Sequence, residues 1–330
     1  AKHPEYGMSD MALLHRMDLD AGTVEVGGKT YPLLDTDFPT VDPVDPYAFT
    51  DEEQEVVDRL TESFTGCERL KKHIRFMIES GSMYLIRNDN LLFHGCLPTD
   101  DAGNFAPTSV LGNPLAGRAL LDAFDGAVRD SFFARGEKQK EAADLMFYLW
   151  CGEASPLFGK ARITTFERYF IADEATHVEE KNPYYRLREK ADFAEKILRV
   201  FHIDPERGKI INGHTPVKRK KGEEPVKAEG KVLVIDGGFA HAYRKTTGTA
   251  GYTLISNSYG ILLATHSPMK DEARRIADDE DITSSLAFVT EYKHRRLVKD
   301  TDGGKKAEDT IKELATLAAL YETGEIETQK

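Results

Sequence analysis

Cysteine is scarce in this chain. Cys67, Cys96 and Cys151 are the only three, and no two form a CxxC pair. That excludes a disulfide framework and a zinc knuckle, and it suits a reducing, cytoplasmic setting. Long apolar runs are also missing. None approaches the roughly 20 residues that span a bilayer, and the opening residues are not expected to be a signal peptide. There is no excess of basic residues: 44 Lys and Arg stand against 56 Asp and Glu, for a formal net charge of −12. This disfavours nucleic acid or an anionic membrane as a partner. An anionic substrate stays open, because a local metal outweighs the global field. Internal repeats and low-complexity linkers are absent, so the 330 residues read as one principal domain. The expected divisions are an extended segment with a hairpin over 1–48, a main body over 49–290, and a tail with a helix over 291–330. The opening Ala1–Gly7 has no initiator Met and reads as the start of a fragment or a processed product.

What is present alternates between strand and helix signals, which predicts an α/β (α+β) fold. Thr23–Val26 and Thr30–Leu33 flank Gly27-Gly28 as a hairpin. Thr50 and Glu53 form a capping box. The helix that follows carries Val56, Val57, Leu60 and Phe64 as a stripe expected to be buried. A second helix, over about 68–79, shows Leu70, Ile74 and Met77 on one face. Strands are expected at 83–86 and 91–93, joined by a turn at Asn88-Asp89-Asn90. Helices follow near 115–134 and 138–150. Residues 151–190 form a long polar excursion of the kind that serves a site. Beyond it come a helix near 191–201, strands at 209–212, 231–236, 251–256 and 260–265, a helix near 270–279 and a strand at 286–292. Gly303-Gly304 is expected to break the chain before a helix over about 307–321.

Two stretches carry the chemistry. Leu91-Leu92-Phe93-His94-Gly95-Cys96 and Ile210-Ile211-Asn212-Gly213-His214-Thr215-Pro216 are both apolar strand-like runs that end in a histidine beside glycine. A strand end holds an imidazole rigidly, and neutral imidazole is a common ligand of Mn, Fe and Zn. A lone histidine is more often a hydrogen-bonded core residue, so the repetition of the pattern is what points to a metal. Glycine beside it permits close approach of backbone, metal or phosphate. Asp236 ends the next strand. It is either an acceptor that orients a ligand imidazole or a turn residue before two glycines, and the turn role is the commoner. Lys160, Arg162, Arg168 and Lys218 are candidate substrate-phosphate ligands, with ordinary surface charge as the plain alternative. Cys96 and Cys151 have no adjacent base and read as packing residues. His266 reads as structural, and His177 and His241 as exposed. No catalytic acid or base is assigned.

These residues resemble a known family. The segment Met83–Pro98, then Leu149-Trp150, Gly213-His214-Thr215-Pro216 and Ile235-Asp236-Gly237-Gly238 are similar to the later half of calcineurin-like metallophosphatases. The runs Met11–His15, Thr36–Pro43, Tyr148–Lys160, Thr164–Phe170, Lys181–Tyr185 and Lys245–Tyr259 narrow this to the C-terminal half of class III (Firmicutes-type) fructose-1,6-bisphosphatase, over roughly residues 8–270. The resemblance implies a sandwich of two mixed sheets with added helices and a two-metal centre, usually manganese. It also implies hydrolysis of fructose 1,6-bisphosphate to fructose 6-phosphate and phosphate in gluconeogenesis. His94 matches the family's His-Gly ligand and His214 its Gly-His-Thr-Pro ligand. The family's earlier motifs, Asp-x-His, Gly-Asp-x-x-Asp-Arg-Gly and Gly-Asn-His-Glu, do not occur in this chain. An N-terminal half is therefore the expected partner, and a homo-oligomer is compatible with the resemblance. The alternatives are an incomplete regulatory or sugar-phosphate-binding fragment, or a metallophosphatase for another phosphoester.

Overall fold

The computed structural model describes residues 3–8, 11–110, 112–238, 240, 243–248, 251–267 and 284–326. The helix expected near 270–279, and His241, lie outside them. In chain order the main elements are β1 (Met17–Asp18), β2 (Thr23–Val26), β3 (Lys29–Pro32), α1 (Asp51–Thr65), α2 (Glu68–Ser80), β4 (Tyr84–Arg87), β5 (Asn90–Phe93), β6 (Thr108–Val110), β7 (Asn113–Leu115), α3 (Gly117–Phe133), α4 (Glu137–Cys151), α5 (Thr165–Phe170), α6 (Tyr184–Leu187), α7 (Ala191–Val200), β8 (Lys209–Asn212), β9 (Val226–Lys227), β10 (Val232–Val234), β11 (Gly251–Ser256), β12 (Gly260–His266), β13 (Ser284–Glu291) and a long helix, Asp302–Glu322. The mixed α/β class is as expected. The 108–115 hairpin carries too little alternation to be read from sequence.

Contacts gather into two compact units. One comprises Ala1–Tyr84 and His94–Leu187, the other Leu85–Phe93 and Arg188–Lys330.

In the first unit, α3 and α4 pack through Leu120, Phe124, Leu145, Tyr148 and Leu149. Val24 and Val26 of the β2–β3 hairpin bury against Ile171 and Phe166, and that hairpin turns at Gly27-Gly28, both at positive φ. The Thr50–Glu53 capping box is complete. The Glu53 amide donates to the Thr50 hydroxyl and the Thr50 amide donates to the Glu53 carboxylate. The stripe on α1 departs from expectation. Val57 is half-buried, but Val56, Leu60 and Phe64 are 46 %, 56 % and 64 % exposed. Periodicity names the apolar face of a helix without naming what covers it. His177 also departs from the exposed reading. It is half-buried, and its Nε2 lies 3.0 and 2.9 Å from the Glu167 and Ile171 carbonyls.

The second unit is a sandwich. One sheet is mixed, in the order β4-β5-β8-β10-β9, and the other is the antiparallel β11-β12-β13. Leu92, Ile211 and Leu233 share a register row of the first sheet and pack on Leu254, Ile261 and Val289 of the second. His266 bridges the outer strands, with Thr253 Oγ1 and Ser284 Oγ each 2.8 Å from its ring nitrogens, which is the structural role expected of it. The β4–β5 turn uses Asn88 and Asp89 at φ 49° and 65°, a pair that tolerates left-handed backbone. Its Asn88 caps the 302–322 helix reciprocally: the Asn88 amide donates to Asp302 Oδ2 at 2.6 Å and the Asp302 amide to Asn88 Oδ1 at 3.0 Å. Gly303-Gly304 do not precede that helix but form its first turn. Gly304 is there because a Cβ would collide with the Val298 backbone.

Candidate functional site

The second unit builds the sheet edge that matters. β5 and β8 are parallel neighbours, with Phe93 paired opposite Asn212. The two strands end level and leave the sheet at the same, carboxyl edge, where α/β proteins place their ligands. His94 is the residue after Phe93. His214 is the second after Asn212, half-buried and left-handed at φ 63°. Thr215 closes the turn, its amide 2.7 Å from the Gly213 carbonyl.

A buried clasp secures that edge. Asn212 is 1 % exposed. Its Nδ2 donates to the Phe93 carbonyl at 3.2 Å, and its Oδ1 accepts from Arg188 Nη1 at 2.7 Å. Sequence reasoning passed over both residues. The available signal was a polar side chain ending an otherwise apolar strand, Ile210-Ile211-Asn212. Two residues past the end of the neighbouring strand β10, Asp236 Oδ1 accepts from the Gly238 amide at 2.9 Å and its carbonyl accepts from Val217. Those contacts are those of a turn former. Gly237 is needed because a Cβ there would strike the backbone of Gly251. Lys218 is half-buried, and its amide donates to Glu223.

The first unit holds His94 and the other candidate cations. His94 is exposed. Gly95 behind it admits a close backbone approach: a Cβ there would strike the Pro156 carbonyl, which accepts the Cys96 amide at 2.8 Å. Cys96 and Cys151 are buried free thiols, as a packing role requires. Lys160 donates to Glu179 at 2.6 Å. Arg168 donates to the Thr164 hydroxyl and the His177 carbonyl, and Arg162 to the Thr176 carbonyl. Burial opposes ionisation of Glu179, yet the Lys160 hydrogen bond, the Thr164 amide and the charges of Lys160 and Arg168 outweigh it. They hold the carboxyl below its ordinary range. These three cations therefore brace the 160–179 excursion in the structure. Arg162 also lines a cavity of about 700 Å³ with His15, Arg16, Trp150, Phe166 and Glu167. Glu167 is buried there with Arg16 Nη2 at 3.7 Å.

The donor chemistry of two imidazoles suits a divalent transition metal, but two neutral ligands leave most of a coordination shell unfilled. Among the described residues no group of three or more His, Cys, Asp or Glu could hold a metal ion. The described side chains do not make a complete centre by themselves. No described helix is long and apolar enough to cross a membrane.

A family model described as Firmicute fructose-1,6-bisphosphatase matches residues 1–323. The chain belongs to this family. Among its relatives, the class 3 fructose-1,6-bisphosphatase of Clostridium novyi is 48 % identical over 99 % of this chain and 50 % of its own length. That of Clostridium tetani is 46 % identical over 99 % of this chain and 50 % of its own. That of Listeria innocua is 46 % identical over 98 % of this chain and 50 % of its own. The chain thus spans about half the length of the curated relatives it matches. No solved structure matches it.

Proposed function

We propose that this chain supplies part of the active site of a metal-dependent phosphatase that hydrolyses fructose 1,6-bisphosphate to fructose 6-phosphate and phosphate, a cytoplasmic step of gluconeogenesis. The carrying observation is the family match along 1–323. In this reading the chain corresponds to the C-terminal half of a calcineurin-like fold. His94 and His214 are two ligands of a manganese centre, and the other ligands come from polypeptide equivalent to the unmatched half of the relatives. Because the described residues do not complete that centre, the mechanism is confined to what they do themselves. The level ends of β5 and β8 present the two histidine-bearing turns. Asn212 holds those ends together, and His214 leaves its strand through a left-handed turn. Lys218, Lys160, Arg162 and Arg168 are the candidate phosphate ligands, and Asp236 the candidate orienting acceptor.

A second reading has one observation in its favour. With no three-ligand cluster among the described residues, the chain by itself is a binding or regulatory module that does not turn over substrate. One assay separates the two. Phosphate release from fructose 1,6-bisphosphate is measured with Mn²⁺ for the chain alone, and for the chain combined with the unmatched half of the Clostridium novyi relative. The proposal expects activity in the combined sample, lost by roughly a hundredfold or more in His214→Ala together with bound manganese. Wild-type turnover and metal content in His214→Ala would sink the ligand assignment. A combined sample with no activity would favour the binding module.

A further inference from the structure

The helix α1 is well made and poorly used. Its capping box is complete and its apolar residues recur at i, i+4 and i+8, yet it buries no residue at all. Val56, Leu60 and Phe64 face outward as a continuous stripe. Just past Gly66 stands Cys67, the exposed member of the three free cysteines. A sequence that invests in a capped amphipathic helix normally covers its apolar face, and an exposed stripe of large side chains marks an interaction surface.

Two facts narrow the occupant. The relatives carry about as much polypeptide again as the part that matches this chain, and α1 lies inside the matched region. Around the stripe, α1 carries six acidic side chains against one basic, Arg59. Two copies of this helix laid face to face would bring those acidic rims together, which costs binding. A complementary partner has an apolar patch with a basic rim.

We propose that the Val56–Leu60–Phe64 face of α1 is the docking surface for the half of the family polypeptide that this chain does not match, whether joined to it or separate. The proposal rests on the preceding functional reading, in which that half completes the active site.

The test uses Cys67 as a built-in reporter. Maleimide labelling of Cys67 is followed in the full chain alone, at low and high concentration, and in the chain co-expressed with the unmatched half of the Clostridium novyi relative. The chain alone is expected to label rapidly and independently of its concentration. Co-expression is expected to slow labelling by about tenfold or more, and Leu60→Asp to weaken co-purification by about tenfold or more. Leu60→Asp leaves the melting temperature of the chain alone unchanged, since the side chain is already exposed, so a folding defect does not imitate the result. Leu314→Asp, on the exposed face of the 302–322 helix, leaves co-purification intact. Four outcomes overturn the proposal: no co-purification of the wild-type pair, undiminished labelling in the complex, disruption by Leu314→Asp in place of Leu60→Asp, or protection that grows with the concentration of the chain alone, which would assign the face to a second copy. Phosphatase activity is read in the same samples. An active complex with Cys67 still reactive sinks the docking surface alone, and a protected but inactive complex sinks the functional reading alone.

Discussion

Asn212 shows how much one side chain decides. Burying an amide is costly unless its groups are paired, and here the pairing joins two strand ends and an arginine. Asn212→Ala withdraws an acceptor from the buried Arg188 guanidinium and a donor from the Phe93 carbonyl. A loss of about 2–4 kcal/mol is expected from those two deficits, measured as a lower denaturation midpoint at unchanged slope. A change below about 0.5 kcal/mol would show that the clasp is incidental. Glu179 gives a pH test. Its folded pKa is depressed, so its contribution is present above the ordinary carboxylate pKa and is lost as pH falls through the lowered folded value. Glu179→Gln should flatten that part of the acid limb of a stability profile and leave the neutral-to-basic part without additional slope. An acid limb identical to wild type would remove Glu179 from the bracing of the 160–179 excursion.

Whole elements make the opposite point, that a local rule bends to its surroundings. Gly→Ala inside a helix ordinarily stabilises by about 1 kcal/mol. Gly304 sits in the first turn of the 302–322 helix, where a Cβ meets the Val298 backbone, so Gly304→Ala is expected to destabilise by about 1–3 kcal/mol. Stabilisation by that substitution would show that the turn at 298–300 relaxes freely. On α1, Thr50→Ala removes the hydroxyl that accepts the Glu53 amide and should cost the helix about 1 kcal/mol. Since α1 buries no residue, the effect should appear as faster hydrogen exchange in 51–65 without a matching fall in global stability. An equal fall in both would mean that α1 unfolds with the rest of its unit. Covering Val56, Leu60 and Phe64 would recover roughly 1.5–3 kcal/mol for each fully buried side chain, enough to make a partner decisive.

For the whole molecule, the balance of charge and apolar surface determines how it associates. The formal net charge of −12 opposes self-association at low salt, while the exposed stripe favours a complementary surface. Calorimetry of assembly with the unmatched half of the Clostridium novyi relative should therefore give a negative heat-capacity change, the mark of apolar burial. A heat-capacity change near zero would point to a polar contact elsewhere.

Much of this was legible in the chain before any coordinates. The capping box at Thr50 and Glu53, the Gly27-Gly28 hairpin and the histidines that close two apolar strands are all local signals. Each is set by backbone sterics and hydrogen bonding within a few residues, so the sequence by itself determined them. The tertiary structure decided the rest. It made β5 and β8 parallel neighbours with level ends, turned Asn212 into a clasp, committed Lys160 and Arg168 to bracing a loop, placed Gly304 inside a helix and left the α1 stripe uncovered. Those outcomes depend on which distant segments meet, and short-range periodicity carries no information about the partner a face will find.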